Sequence, residues 1–166
     1  MSITFNAFEI FEMAEQIERN GVKFYRKAAQ GISDAGVKKT LLILADMEVE
    51  HEAIFAAMRE ELSDESKELR VFDPDNEMAL YLQAMASGHV FNLKKDPSEQ
   101  LSGSETEEDI LRLAISAEKD SIVFYLGLKD FVSVKAGKDK VEWIIKEEMS
   151  HITILNRNLL ELASTV

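Results

Sequence analysis

The chain has 166 residues, 46% of them hydrophobic, and carries 31 acidic against 19 basic side chains for a net charge of −12. That composition excludes a disordered chain and gives one domain enough apolar material for a core. The charge opposes binding to nucleic acid or an anionic membrane, and the absence of cysteine excludes disulfides, thiolate zinc sites, iron–sulfur centres and cysteine nucleophiles together.

With 2 prolines and 7 glycines, the sequence favours long uninterrupted helices over a turn-rich β fold. The N-terminal stretch MSITFNAFEIFEMAEQ lacks the basic-then-apolar order of a secretory signal. No apolar run approaches the roughly 20 residues of a membrane span. The expectation is a soluble, cytoplasmic protein, one domain over 1–166, with neither nucleic acid nor membrane as partner.

In chain order, helical period first appears over residues 7–31, where Asn6 and Glu9 have the spacing of an N-cap and its return partner. The break GISDAG separates this helix from a second over 36–62. Residues 63–104 are too many for a simple loop in a compact domain. The segment PDNEMALYLQAMASG within them reads as a short helix, with Asp73 as N-cap, Pro74 in the first turn and Gly88 near its end. Ser104 and Glu107 then mark the start of a helix over 105–132, and SVKAGK breaks it from a fourth over 138–163. The predicted fold is all-α: a four-helix bundle of two hairpins joined by a long crossover that contains a short helix.

The two hairpins repeat each other. Displaced by 100 residues, Ile10 meets Ile110, Ala14 meets Ala114, Glu18 meets Glu118, and Phe24-Tyr25 meets Phe124-Tyr125. Glu48 meets Glu148, His51 meets His151 and Ile54 meets Ile154, with no gap. Glu50 and Glu52 fall on Ser150 and Ile152 and are not shared. The shared set is apolar positions with two carboxylates, one histidine and one tyrosine per unit.

Helical period turns the shared polar residues inward. Leu41, Leu44, Glu48, His51, Phe55 and Met58 form one seam, and Val141, Ile144, Glu148, His151 and Leu155 form its counterpart. Glu18 shares a face with Ala14, Gly21 and Tyr25; Glu118 shares one with Ala114, Ser121 and Tyr125. Glu18 lies 16 residues before a turn at residue 34, and Glu48 and His51 lie 14 and 17 after it, so all three reach one level of the bundle. Four glutamates and two histidines therefore converge. No inward Lys or Arg is predicted at that level, so the buried charge requires another partner. Two divalent cations balance four carboxylates, and oxygen with imidazole donors suits iron or manganese. Glu50, Glu52 and Glu147 read as solvated, His89 as a surface or core histidine, and Met13 and Met47 as packing. Tyr25 and Tyr125 read as core phenols whose hydroxyls donate to a partner, with a ligand carboxylate as one candidate.

IERNGVKFY with MEVEH, and AEKDSIVFY with EEMSH, resemble the ferritin-like di-iron carboxylate superfamily. Together with YLQAMASGHVF in the connector, they resemble its rubrerythrin-like branch over nearly the whole chain. Rubrerythrins reduce hydrogen peroxide to water at a carboxylate-bridged di-iron centre. The resemblance implies terminal ligands at Glu18 and Glu118, bridges at Glu48 and Glu148, and nitrogen ligands at His51 and His151. It implies a pair of iron ions, with manganese or a mixed iron–manganese pair as the alternative. Peroxide or O2 would be the substrate, an external protein the electron donor, and a homodimer the assembly. The sequence departs from the full-length pattern in two ways: it lacks a cysteine-bound rubredoxin-type domain, and Ser121 stands where many relatives carry a further ligand carboxylate. Three alternatives remain: a ferroxidase that handles iron as substrate, an oxidase or oxygenase acting on an organic molecule, and a metal-free acidic interaction bundle.

Overall fold

The computed structural model describes residues 7–62 and 101–164, with Glu77, Leu80, Tyr81, Ala84 and Glu99 at isolated positions between. Four long helices dominate: α1 Ala7–Gly31, α2 Ala35–Glu60, α3 Glu107–Phe131 and α4 Lys138–Ser164. No strand occurs among the described residues. No helix among the described residues is long and apolar enough to cross a membrane.

Each turn is set by local chemistry. Between α1 and α2, Asp34 accepts a hydrogen bond from the Val37 amide at 2.8 Å and so caps the new helix. The Asp34 amide in turn donates to Glu107 at 2.8 Å, which ties the first hairpin's turn to the start of the second hairpin. Between α3 and α4, a single 3₁₀ turn Val134–Ala136 ends at Gly137, whose φ of 100° is left-handed. Glycine reaches that conformation without a Cβ clash, and α4 starts from the next residue.

The predicted helix spans hold to within a residue or two at their ends. One start signal is corrected. Ser104 does not cap α3; Thr106 does, in a capping box with Asp109. The reason is a turn just upstream. Glu105 accepts from the Ser102 amide, the Ser102 hydroxyl and the Gly103 amide, and the Ser104 amide bonds back to Ser102. Those bonds hold Ser104 outside the helix. Glu107, Glu108 and Asp109 then place three carboxylates against the helix N-terminus, where they oppose the dipole favourably. Asn6 lies outside the described residues, as do His89 and Asp73, Pro74 and Gly88 of the predicted connector helix. Glu77, Leu80, Tyr81 and Ala84 within it are helical. The Tyr81 hydroxyl donates to the Val123 carbonyl at 2.9 Å, which ties the connector to α3.

α1 packs along α2 and α3 along α4, and narrower contacts join α1 to α3 and α2 to α4. The repeat seen in sequence is a repeat in burial. Residues 41–55 and 141–155 alternate between buried, half-buried and exposed in the same order, position by position. The core runs the length of the bundle through Phe11, Leu41, Leu44, Phe55, Leu111, Val141, Ile144 and Leu155, all essentially inaccessible to solvent. Phe55 packs against the Tyr125 ring at a centroid distance of 5.1 Å and against Phe11 at 6.5 Å.

One buried carboxylate was not anticipated from the sequence. Glu15 is 1% exposed and is held by Arg59 at 2.5 and 3.0 Å and by Arg19 at 3.0 Å. Arg59 also lies over the Phe8 ring, 4.7 Å from its centroid. This paired cluster belongs to the first hairpin alone, since the position matching Glu15 is Ile115.

Candidate metal centre

The six predicted residues meet in the middle of the bundle. Glu18, Glu48, His51, Glu118, Glu148 and His151 are each at most 2% exposed. α1 supplies Glu18, α2 supplies Glu48 and His51, α3 supplies Glu118, and α4 supplies Glu148 and His151. A three-residue step places a carboxylate and an imidazole on one helical face, so each Glu-His pair aims at the same space.

Nδ1 of His51 lies 2.9 Å from Glu148, 3.6 Å from Glu48 and 3.7 Å from Glu18. Nδ1 of His151 lies 3.2 Å from Glu148, 3.3 Å from Glu48 and 3.4 Å from Glu118. The two imidazoles stack, 5.5 Å apart and 15° from parallel. Potential ligand atoms gather in two overlapping sets, each within 4.8 Å: Glu18, Glu48, His51 and Glu148 form one, and Glu48, Glu118, Glu148 and His151 the other. Glu48 and Glu148 belong to both.

The tyrosines cross between the hairpins. The Tyr25 hydroxyl donates to Glu118, and the Tyr125 hydroxyl donates to Glu18. Each hairpin thus orients the other's lone carboxylate. Burial, and then the nearby carboxylates (first Glu118 for Tyr25, Glu18 for Tyr125), push both phenols well above their ordinary pKa. They therefore remain protonated donors at neutral pH.

Burial and mutual contact shift every titratable group of the cluster. Burial, and then the charge of Glu48, raise Glu18 well above the ordinary carboxylate range. Burial and the charge of Glu148 do the same to Glu118. Burial opposes ionisation of Glu48 and Glu148 too, but contacts with the neighbouring glutamates and histidines outweigh it and hold both below the usual range. Burial works against protonated His51, yet the carboxylates of Glu148, Glu18 and Glu48 outweigh it and push the imidazole up to about 12. His151 is raised in the same way by Glu118, Glu148 and Glu48.

These residues fit a pair of cations. Oxygens of Glu48, Glu118 and Glu148 and Nδ1 of both histidines are buried without a hydrogen-bond partner. Buried polar atoms are ordinarily satisfied, so a cluster of orphaned donors and acceptors aimed at one space calls for an explanation. The donor set is oxygen and imidazole only, which suits hard to borderline divalent ions. No arginine or lysine pairs with the six in the described ion pairs; Arg19 and Arg59 serve Glu15, one helical turn away.

The neighbouring glutamates lie outside the cluster, though only Glu50 is as solvated as the sequence suggests. Glu50 is exposed, Glu147 is half-buried, and Glu52 points away to Arg19 at 2.6 Å. Met13 and Met47 are half-buried against the core. One aromatic contact gave no signal in the sequence. Trp143, the lone tryptophan and 45% exposed, meets the His51 ring edge-on at a centroid distance of 5.8 Å. Its repeat counterpart is Ile43, so only one half of the site carries an indole.

No family model and no curated protein matches the chain. Among solved structures, it is similar to a Thermotoga maritima chain described as a candidate ferritin-like diiron-carboxylate protein, with 27% identity and a TM-score of 0.67. The match covers 95% of this chain and 96% of that one. The fold is that of a ferritin-like helical bundle. Its core carries a buried glutamate–histidine cluster with the geometry of a di-metal site.

Proposed function

We propose that the chain is a rubrerythrin-like di-iron carboxylate oxidoreductase that reduces peroxide or O2. The observation that carries this reading is the pair of overlapping ligand sets sharing Glu48 and Glu148. Glu18, Glu48, His51 and Glu148 would hold one ion, and Glu48, Glu118, Glu148 and His151 the other. The similar Thermotoga maritima structure, with its diiron-carboxylate description, supports iron over manganese.

Iron bound there supplies the redox chemistry: with two protons, the two electrons of a ferrous pair convert hydrogen peroxide to two waters. The chain's own residues prepare the place. Tyr25 fixes one oxygen of Glu118 and Tyr125 one oxygen of Glu18, and the other oxygen of Glu118 has no hydrogen-bond partner. Leu44 and Ile144 sit one turn before the shared glutamates, and Phe55 and Leu155 one turn after the histidines; all four are fully buried and keep bulk water out. Glu18 and Glu118, with raised pKa values, hold protons until a cation displaces them. The electrons that reset the site come from an external donor protein. The protein works as one domain over 1–166, as a cytoplasmic homodimer.

The test is repeated peroxide addition to iron-loaded protein with a chemical reductant present. Peroxide consumed over many cycles, with the iron retained, is the expected result. Net accumulation of iron beyond the pair, without peroxide turnover, points instead to an iron-handling role. A loaded protein that consumes neither peroxide nor O2 contradicts the proposal.

A further inference from the structure

We propose that Gly21 is a positioning residue for Glu48: the side chain it lacks leaves the space from which Glu48 reaches both ligand sets. This rests on the metal reading above. Gly21 lies inside the 25-residue helix α1 and is buried. Glycine in a helix interior weakens the helix through its backbone freedom, and it gains nothing there from a left-handed conformation. Its presence calls for a packing reason, and the neighbour supplies one.

A Cβ on Gly21 would stand 3.2 Å from Cγ of Glu48, 3.3 Å from its carboxyl carbon and 3.6 Å from Oε2. The first two separations are tighter than ordinary carbon–carbon contact, so the Glu48 side chain would have to retreat by a few tenths of an ångström. Glu48 has little freedom to do so without leaving the site. It is 2% exposed, and its oxygens lie 3.6 Å from Nδ1 of His51 and 3.3 Å from Nδ1 of His151. Metal–ligand distances tolerate only about 0.2 Å. The retreat is therefore comparable with the whole tolerance of a coordination bond.

The repeat makes the effect one-sided. The position matching Gly21 is Ser121, buried on α3 in the half that carries Glu118. Ser121 has a Cβ. The first helices of the two hairpins thus differ at this position, although the six ligand-type residues repeat.

The test uses metal-free protein titrated with Co(II), read by visible absorption, alongside thermal melting of the metal-free form. Gly21→Ala is expected to melt at or above the wild type without metal, because alanine favours the helix. Its Co(II) affinity is expected to fall about ten- to a hundredfold, in the range seen when the support of a ligand is disturbed, with an altered cobalt spectrum. Gly21→Ser, which imposes the other half's residue, loses affinity in the same direction. Unchanged affinity and spectrum in Gly21→Ala would overturn the inference. So would a metal-free Gly21→Ala that melts well below the wild type or does not fold, since that marks Gly21 as a plain packing residue. A wild type that takes up no cobalt contradicts the metal reading itself, and the inference with it.

Discussion

At the scale of single residues, position on the helix separates ligands from bystanders within one short stretch. Glu48 and His51 are buried and face the shared space, whereas Glu50, between them in sequence, is exposed. His51→Ala and Glu148→Ala are each expected to lower metal occupancy, as read by elemental analysis of purified protein, while Glu50→Ala leaves it unchanged. Equal losses from all three would mean that the wrong helical face has been assigned. Tyr125→Phe removes the hydroxyl that donates to Glu18 and leaves the ring packing against Phe55 in place. Metal affinity is expected to drop about tenfold or more, with secondary structure by circular dichroism unchanged. All six cluster residues were legible in the sequence because the repeat kept them and discarded their neighbours. Glu15 was not legible, because its counterpart is Ile115 and the repeat gave it no support. The spacing of Glu15 and Arg19, one helical turn apart, was the available signal. The Trp143–His51 contact joins α4 to α2, and helical period within one element says nothing about which residues meet across two.

At the scale of elements, helix period fixed the cores of the helices, and side-chain hydrogen bonding fixed their ends. Ser104 and Thr106 both have a carboxylate three residues on, Glu107 and Asp109, so spacing alone could not rank them. The turn built by Glu105 decides it, because bonds to Ser102 and Gly103 hold the chain out of the helix until Thr106. Thr106→Ala is expected to cost about 1 kcal/mol of stability in chemical denaturation, whereas Ser104→Ala costs little. Metal content is unaffected in both, because the cap lies far along α3 from Glu118. A larger loss from Ser104→Ala would place the helix start at the residue the spacing alone favoured.

At the scale of the whole molecule, the bundle is arranged around a cluster whose protonation differs between the folded, metal-free chain and the unfolded one. Above pH about 6.5 the unfolded chain holds both histidines neutral and all glutamates ionised. The folded, metal-free chain keeps protons on His51 and His151, and Glu18 and Glu118 are raised as well. A folded state that binds more protons than the unfolded one loses stability as pH rises. Glu48 and Glu148, held low, are ionised in both states over this range and add no slope. The melting temperature of metal-free protein is therefore expected to fall from pH 6.5 to 9 by calorimetry, and added metal is expected to reverse the trend by displacing those protons. A melting temperature that rises with pH without metal would contradict the charge assignment. The most direct test of the central claim is an anaerobic Fe(II) titration of metal-free protein, followed by metal analysis and a near-ultraviolet spectrum on oxidation. The account predicts saturation at two irons per chain, with oxo-to-iron absorption on oxidation and loss of both in Glu148→Ala. A chain that retains no iron, or binds it equally well without Glu148, contradicts it.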